Sequence, residues 1–202
     1  MTLPCLIVVF AKAPVAGFAK TRLIPALGAQ GAADLALRLL VHALQQARDA
    51  DLGAVELCCT PTLRHPAFGA LVQEALTFTD QGDGDLGERM ARAIERGLAQ
   101  YAKVLLIGTD APALDAAVLR SAAAALDTDD AVFVPALDGG YVLVGLRRMV
   151  GSIFEDMPWS TPLVMQHTRE RLAREGIVHA ELAPLADIDE AADLRHLAPG
   201  WV

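Results

Sequence analysis

The chain has 202 residues, which suits a single domain and is long enough to bury a sizeable core. Hydrophobic residues make up 53% of it and recur along its whole length, which excludes an intrinsically disordered chain. The formal net charge is −8, which argues against a general nucleic-acid-binding protein.

Short apolar runs alternate with longer stretches rich in Ala and Leu, the pattern of a βαβ protein with a mainly parallel sheet. In chain order, strands are expected at residues 6–10, 55–59, 77–79, 104–107, 132–135, 141–146 and 178–182. Helices are expected at residues 32–48, 66–76, 87–101, 115–126, 162–175 and 190–197. Asp115, Thr161 and Asp189 are the expected N-caps of the helices that follow them.

An Asp-Gly-Gly turn separates the fifth and sixth expected strands, and this turn indicates a hairpin. The sheet is therefore expected to be mixed. No linker, internal repeat or low-complexity tract divides the chain. The predicted fold class is α/β, with one domain over residues 1–202 and a mixed, mostly parallel sheet between helices.

The cysteines Cys5, Cys58 and Cys59 are odd in number, and two of them are adjacent in an apolar run, which indicates buried thiols in a reducing compartment. No basic region precedes the first apolar segment, and Pro4 interrupts it, so it is interpreted as a strand rather than a signal peptide. No apolar stretch approaches the roughly 20 residues of a membrane helix. We expect a cytoplasmic protein with no membrane span.

The segment after the first strand carries three cations and a glycine, namely Lys12, Gly17, Lys20 and Arg22. It is not a Walker A loop, because proline and alanine occupy the two required glycine positions. Arg binds phosphate through two parallel hydrogen bonds and Lys binds it as a point charge, so the segment is a candidate phosphate-binding loop. A solvated basic loop is the alternative.

Two aspartates also follow expected strands, and ligands of open α/β sheets bind at such positions. Asp110 comes directly after the strand at 104–107 and is a candidate ligand for Mg²⁺ or Mn²⁺, which prefer oxygen donors. The alternative is that Asp110 only caps a turn before Pro112. Asp138 lies in the hairpin turn, where a structural role and a ligand-facing carboxylate are equally compatible.

Two further segments carry weaker signals. Gly84 and Asp85 precede a helix whose N-terminal N–H groups could bind an anion or a ribose, although a flexible surface loop explains them almost as well. Asp187 lies two residues before the expected N-cap Asp189 and has no capping role, so it is a candidate second metal ligand.

Six motifs occur in order along nearly the whole chain and together resemble one family. They are Phe10-Ala-Lys-Ala-Pro14 with Lys20-Thr-Arg-Leu23, Gly84-Asp-Leu-Gly-Glu-Arg-Met90, Gly108-Thr-Asp-Ala-Pro-Ala-Leu114, Asp138-Gly-Gly-Tyr141, Trp159-Ser-Thr-Pro162 and Asp187-Ile-Asp189. The set resembles the bacterial glycosyltransferase-like family of GT-A fold that includes enzymes assigned to arsenosugar biosynthesis. It is similar, more distantly, to 2-phospholactate guanylyltransferases and molybdenum-cofactor nucleotidyltransferases.

This resemblance implies a nucleotide-diphospho-sugar transferase fold with Asp110 in the place of the metal-binding aspartate. The chain departs from the pattern twice. The Asp-x-Asp signature of glycosyltransferases reads Asp110-Ala-Pro112, so one carboxylate is absent. The common Asp-Ile-Asp-Thr-Pro-Glu-Asp-Leu pattern reads Asp187-Ile-Asp-Glu-Ala-Ala-Asp-Leu194.

The resulting hypothesis is metal-dependent transfer of a sugar from a nucleotide diphosphate to a small acceptor. The three cations hold the diphosphate, the metal on Asp110 neutralises the leaving group, and Asp138 is a candidate general base. The acceptor side is assigned to the hairpin and to a later loop, with the candidate residues Gly139, Gly140, Tyr141, Trp159, Ser160 and Thr161.

Two alternatives remain open at this stage. A nucleotidyltransferase would hold a nucleoside triphosphate in the same pocket and release pyrophosphate. A non-catalytic module would bind a nucleotide without turnover and without a need for metal. Under each of them a homodimer is one option for the assembly.

Overall fold

The computed structural model describes residues 4–71 and 76–201, which form a seven-stranded mixed sheet between helices. The strand order is β3-β2-β1-β4-β6-β5-β7, and only β6 runs antiparallel to its neighbours. The strands are β1 (Leu6–Lys12), β2 (Ala54–Thr60), β3 (Leu76–Asp80), β4 (Val104–Ile107), β5 (Ala131–Pro135), β6 (Tyr141–Leu146) and β7 (His179–Glu181). The predicted α/β fold class, with a mixed and mostly parallel sheet between helices, is confirmed.

Four α-helices cover the two faces of the sheet. They are α1 (Ile24–Asp49), α2 (Leu86–Leu98), α3 (Ala116–Ala125) and α4 (Val164–Glu175). One hydrophobic cluster holds the buried faces of α1 and α3, and a second cluster holds those of α2 and α4. Short 3-10 turns lie at Thr21–Leu23, Pro66–Leu71, Gly151–Ile153 and Ala191–His196.

Strand β1 shows why the apolar runs form the centre of the sheet. Ile7 and Val9 point to the cluster on the α1 and α3 side, whereas Leu6 and Val8 point to the opposite cluster. Side chains alternate between the two faces of a strand, so a strand covered on both sides must be apolar throughout. Burying one side chain of this size stabilises the fold by about 2 kcal/mol.

The strand order places a crevice beside β1. This strand pairs in parallel with β2 on one side and with β4 on the other. The chain therefore leaves β1 in one direction to build β2 and β3, and returns to its other side to build β4. The carboxyl ends of β1 and β4 lie at this reversal of strand order, where ligands of open α/β sheets bind.

Several helix boundaries differ from the predicted ones. Helix α1 begins at Ile24, because a proline at its first turn favours a helix start, and it is kinked where Gly28 has non-helical angles (φ +71°, ψ 166°). Helix α4 begins at Val164 without a side-chain cap, so the predicted cap at Thr161 was wrong. The last turn is a 3-10 helix capped by Glu190 rather than Asp189. Of the helix predicted at 66–76, residues 66–71 form a 3-10 turn, and 72–75 lie outside the described residues.

The helical stretch Thr21–Asp49 is long and apolar enough to cross a membrane, with a mean hydropathy of 1.3 over its most apolar window. From the sequence, no stretch of this kind was expected. In the fold, its residues Leu35, Leu39, Leu40 and Leu44 are buried. Leu40 and Leu44 pack in the cluster between α1 and the sheet, whereas Leu35 and Leu39 pack with Leu23 and Ile188 in a separate cluster. Of that window 28% is buried in the fold, so packing accounts for part of the apolar character of α1.

Candidate active site

A cavity of about 340 Å³ opens at the carboxyl ends of β1 and β4. Strand β1 contributes Phe10 and Lys12, and the turn after β4 contributes Gly108, Thr109 and Asp110. The cavity is also lined by Lys20 from the loop after β1, by Gln81 and Arg89 from the segment around the start of α2, and by Asp189. The cavity therefore lies where the strand order reverses.

Lys20 lies at the wall of this cavity and is paired with the protein's own carboxylates. Its Nζ is 2.6 Å from Oδ1 of Asp110 and 2.9 Å from Oδ1 of Asp189, and it donates to the carbonyl oxygen of Ile188 at 2.6 Å. Only 8% of the side chain is exposed. The backbone of Lys20 is left-handed (φ +47°, ψ +45°), a conformation that residues other than glycine adopt rarely.

The charge of Lys20 is retained despite its burial. Burial by itself lowers the pKa of a lysine, but the ion pairs with Asp110 and Asp189 outweigh it and raise the pKa of Lys20 above its ordinary value. A buried charge is tolerated when it is paired and hydrogen-bonded, as here. In the ligand-free chain, this cation neutralises carboxylates and is not free for a phosphate.

A chain of carboxylates runs from Asp110 to the β5–β6 hairpin. Segment 185–189 connects the two, because Leu137 donates to the carbonyl of Leu185 and Ile188 donates to the carbonyl of Asp110. Asp187 lies between them, and burial together with the charges of Asp138, Asp189 and Asp110 raises its pKa to about 6. Among the described residues, Lys20 is the cation that pairs with this group, and it contacts two of the four carboxylates, those of Asp110 and Asp189. The group therefore carries excess negative charge.

The donor set fits a hard divalent cation, although it is incomplete without a ligand. In the part of the chain that the structure describes, no group of three or more His, Cys, Asp or Glu side chains is arranged to hold a metal ion. Mg²⁺ is usually bound by one or two carboxylates together with substrate phosphates and water. Asp110, whose side chain is 44% exposed at the cavity, offers a carboxylate of this kind.

Two other cations face the cavity and have no carboxylate partner among residues 4–71 and 76–201. These are Lys12, at the end of β1, and Arg89, in the second turn of α2. Gln81 fixes Arg89, because its Oε1 accepts a hydrogen bond of 3.0 Å from Nη1 of Arg89. Buried Gln81 is itself held by the carbonyl oxygens of Ala11 and Cys58. The arrangement offers an anionic ligand two positive charges.

The remaining predicted phosphate-binding residues do not line the cavity. Arg22 is exposed, with its Nη1 3.9 Å from Oε1 of Glu190. Gly17 supplies a left-handed turn (φ +82°) in the loop that leads to Lys20. Asp85 is the N-cap of α2, where it accepts from the backbone N–H of Glu88, and Gly84 precedes it with φ +102°. In the ligand-free chain these residues shape the loops around the cavity.

The β5–β6 hairpin holds Asp138 near segment 185–189. Oδ1 of Asp138 accepts a hydrogen bond of 2.8 Å from the backbone N–H of Gly140, so one carboxylate oxygen closes the turn. Gly139 has φ +96°, and a side chain there would collide with the backbone of Pro162. The hairpin tip is therefore packed against the segment before α4, as its Gly-Gly sequence permits.

The other predicted acceptor residues form an aromatic contact beside the start of α2. The rings of Tyr141 and Trp159 meet edge to face at 6.3 Å, and Trp159 lies so close to Gly87 that a side chain there would collide with it. The Tyr141 hydroxyl and the Trp159 indole N–H are buried without a hydrogen-bond partner in the described chain, and burial raises the pKa of Tyr141. Ser160 is left-handed (φ +62°), and the Thr161 hydroxyl donates to the carbonyl of Pro158.

Sequence reasoning did not single out Gln81, Arg89 or the pairing of Asp189 with Lys20. Arg89 follows the N-cap Asp85 by four residues, so helix periodicity places it one turn from the N-terminus, and that signal was present in the sequence. The pairing of Lys20 with Asp189 had no such signal, since these residues are 169 positions apart. The three cysteines are buried and free, as expected.

Comparison with solved structures places this fold among transferases. A candidate nucleotide-diphospho-sugar transferase from Desulfovibrio desulfuricans G20 is 30% identical with a TM-score of 0.88, covering 94% of this chain and 84% of that one. A nucleotidyl transferase from Methanothermobacter thermautotrophicus is 15% identical with a TM-score of 0.70, covering 98% and 97% of the two chains. Rv0371c from Mycobacterium tuberculosis H37Rv, in complex with manganese, is 17% identical with a TM-score of 0.60, covering 97% and 98%. The last two show the fold alone.

No protein with a curated description matches the chain. The sequence profile of a family described as "uncharacterized protein conserved in bacteria" (DUF2064) matches residues 40–161. That range includes α2, β4 with Asp110, and the β5–β6 hairpin with Asp138. The chain therefore belongs to the DUF2064 family, and its domain has the fold of the nucleotide-diphospho-sugar transferases.

Proposed function

We propose that the chain is a glycosyltransferase that moves a sugar from a nucleotide-diphosphate sugar to a small acceptor, with Mg²⁺ or Mn²⁺ as cofactor. The observation that carries this proposal is the cavity at the ends of β1 and β4. The cations Lys12 and Arg89 and the carboxylate of Asp110 all line this one cavity. The 30% identical relative described as a candidate nucleotide-diphospho-sugar transferase supports the donor class.

Lys12 and Arg89 hold the diphosphate of the donor. Both line the cavity and neither has a carboxylate partner in the described chain, so their charges are available to an anion. Arg89 is fixed by Gln81 and by the carbonyl of Asp85, so little side-chain freedom is lost when a phosphate binds. Gly108 leaves room for the ligand, because even a Cβ atom added at this position would meet no atom within 4 Å.

Asp110 is the metal-binding carboxylate in this proposal, with Asp187 as a candidate second ligand. A bound Mg²⁺ or Mn²⁺ would stabilise the negative charge that develops on the departing diphosphate. The excess negative charge of Asp110, Asp138, Asp187 and Asp189 over Lys20 favours a divalent cation at this end of the sheet. The manganese complex of Rv0371c, a protein of the same fold, is compatible with this role.

Asp138 is the candidate general base for the acceptor. Its Oδ1 is used by Gly140, while Oδ2 accepts no hydrogen bond from the described residues and can take the proton of an acceptor hydroxyl. The hairpin packs against Pro162 and so holds the carboxylate in place. Tyr141, Trp159 and the loop through Thr161 flank this side and are the proposed acceptor wall, together with Gly139, Gly140 and Ser160.

The test is a product assay on a panel of nucleotide sugars and nucleoside triphosphates. Thermal shift with Mn²⁺ and with EDTA first identifies the ligand, because a molecule that binds only the native chain raises its melting temperature. The identified nucleotide sugar is then incubated with candidate acceptors, and the products are quantified. Release of nucleoside diphosphate that stops in EDTA supports the proposal.

Two results would replace the proposal with another function. Pyrophosphate release from a nucleoside triphosphate would identify a nucleotidyltransferase, the activity described for the Methanothermobacter protein of this fold. Nucleotide binding that EDTA does not change, with no turnover of any donor in the panel, would identify a binding module. A cytoplasmic location is part of the proposal and is tested by fractionation of the native host.

A further inference from the structure

The ammonium of Lys20 occupies a position surrounded by oxygen atoms. Nζ is within 2.6 to 2.9 Å of one oxygen each from Asp110, Ile188 and Asp189. Two of these oxygens are carboxylate and one is carbonyl, which are the donors that Mg²⁺ and Mn²⁺ take in proteins. In the ligand-free chain, the cation at Asp110 is therefore a side chain of the protein.

The backbone at Lys20 indicates that this position is held by its contacts. Left-handed angles are unfavourable for a residue with a side chain, and they persist where the surrounding structure imposes them. The loop that carries Lys20 turns at Gly17, a glycine with φ +82° and open space around it. Loss of the contacts with Asp110 and Asp189 would remove the main attachment of the Lys20 side chain.

We propose that Lys20 is an internal counter-cation that competes with the divalent cation for Asp110. The inference rests on the proposed function in one respect, that Mg²⁺ or Mn²⁺ binds at Asp110. Two cations on the same carboxylate repel each other, so Lys20 offsets the charge of Asp110 in the metal-free chain and weakens its affinity for metal alone. Metal is then bound tightly only with a nucleotide, whose phosphates accept the displaced ammonium.

This arrangement couples the binding of metal to the binding of nucleotide. The ammonium of Lys20, in the loop after β1, is buried. Both phosphates and carboxylates can pair with such a cation. Binding free energies of two ligands that share one group are coupled reciprocally. A nucleotide that draws Lys20 away from Asp110 therefore raises the affinity for metal, and the metal raises the affinity for the nucleotide by the same factor.

The test is direct binding of Mn²⁺ to the nucleotide-free protein, measured by electron paramagnetic resonance of free Mn²⁺ or by calorimetry. Lys20→Met removes the ammonium and keeps most of the apolar side chain. We expect Lys20→Met to bind Mn²⁺ about tenfold more tightly than the wild type or better, within the usual range of coupling factors. An unchanged or weaker Mn²⁺ affinity in Lys20→Met overturns the proposal.

Lys103→Met is the matched control. Its Nζ also contacts one carboxylate and one carbonyl, Oδ1 of Asp127 at 2.6 Å and the oxygen of Ala123 at 2.7 Å, and it lies outside the cavity. Loss of an ion-paired ammonium at this second place should leave Mn²⁺ affinity unchanged. A gain in Mn²⁺ affinity in Lys103→Met equal to that in Lys20→Met would show a general charge effect and overturn the proposal.

A second readout covers the case in which Lys20→Met does not fold. Without the ammonium, the carboxylates of Asp110 and Asp189 lack a paired cation. Mn²⁺ should therefore raise the melting temperature of Lys20→Met more than that of the wild type, or restore the fold of a variant that does not fold without it. Lys20→Gln, which keeps a hydrogen-bond donor, should behave in the same direction. If Mn²⁺ stabilises neither Lys20→Met nor Lys20→Gln more than it stabilises the wild type, the proposal is overturned. Because no nucleotide is present, these results are independent of whether the chain transfers a sugar.

Discussion

The ammonium of Lys20, in the loop after β1, lies 2.6 Å from Oδ1 of Asp110, in the turn after β4. The contact joins the two strand ends that border the crevice, so it both closes the loop over the sheet and sets the charge at the cavity wall. A side chain that was expected to bind phosphate is thus paired with the side chain that was expected to bind metal.

Asp110→Asn should reduce turnover of the nucleotide sugar by about 100-fold or more, because the neutral amide is a poor ligand for a divalent cation and removes charge stabilisation at the leaving group. The fold should persist, since Lys20 keeps its contacts with Asp189 and Ile188. Steady-state kinetics with a measurement of the melting temperature checks both parts.

Asp127→Asn is the control for that change, since it also breaks a Lys–Asp contact of 2.6 Å but lies outside the cavity. Its turnover should equal that of the wild type. If Asp110→Asn keeps full metal-dependent activity, the metal role of Asp110 is wrong.

Lys12→Met and Arg89→Met should each weaken binding of the nucleoside diphosphate about tenfold or more, as expected for the loss of a hydrogen bond to a charged group. Calorimetry with the diphosphate product measures the effect. Arg120→Met removes a cation from α3, where its guanidinium contacts the carbonyl of Asp49 outside the cavity, and should leave the affinity unchanged. If Lys12→Met and Arg89→Met bind the diphosphate as tightly as the wild type and Arg120→Met do, the diphosphate binds elsewhere.

Gly108→Leu should fill the cavity without disturbing the fold. A Cβ atom added at Gly108 meets no atom within 4 Å, and the residue lines the cavity, so we expect the leucine side chain to extend into the space assigned to the donor. The melting temperature should stay close to that of the wild type, while nucleotide binding is lost. Gly69→Leu adds the same side chain at an exposed position that also has no atom within 4 Å, and it should bind normally.

Much of the fold could be predicted because its signals are local. The continuous apolar runs gave the central strands, and the Asp-Gly-Gly turn gave the hairpin that makes the sheet mixed. Helix starts were harder to predict because two of them lack a side-chain cap: α1 begins at Ile24, directly before a proline, and α4 begins after Leu163 without a capping hydroxyl. In these places packing rather than the cap fixes the first turn.

The sequence predicted which segments meet at the site. It did not predict which side chains form ion pairs there. Lys12, Lys20 and Asp110 were expected at one edge of the sheet, and all three line the cavity. The left-handed backbone of Lys20, which turns its side chain toward Asp189, depends on contacts between distant parts of the chain. Arg22 lies in the 3-10 turn that follows Lys20, and its side chain is exposed.

Asp187→Asn should stabilise the metal-free protein at neutral pH. Burial and the carboxylates of Asp138, Asp189 and Asp110 raise the pKa of Asp187 from 3.8 to about 6, so the folded chain retains a proton that the unfolded chain releases. Between about pH 4 and pH 6 the folded state therefore binds more protons, and Asp187 lowers stability progressively as the pH rises through this window. Below it, the carboxyl is protonated in both states and the cost is absent.

The gain in melting temperature of Asp187→Asn over the wild type should thus be small near pH 4, grow toward pH 6 and stay constant above it, with EDTA present throughout. Asp34→Asn removes an exposed carboxylate on α1 that contacts only Gln30 among the hydrogen-bond partners described, and it should show no such rise. A melting-temperature difference for Asp187→Asn that does not change with pH would mean that neither burial nor the neighbouring carboxylates raise the pKa of Asp187 in the folded chain.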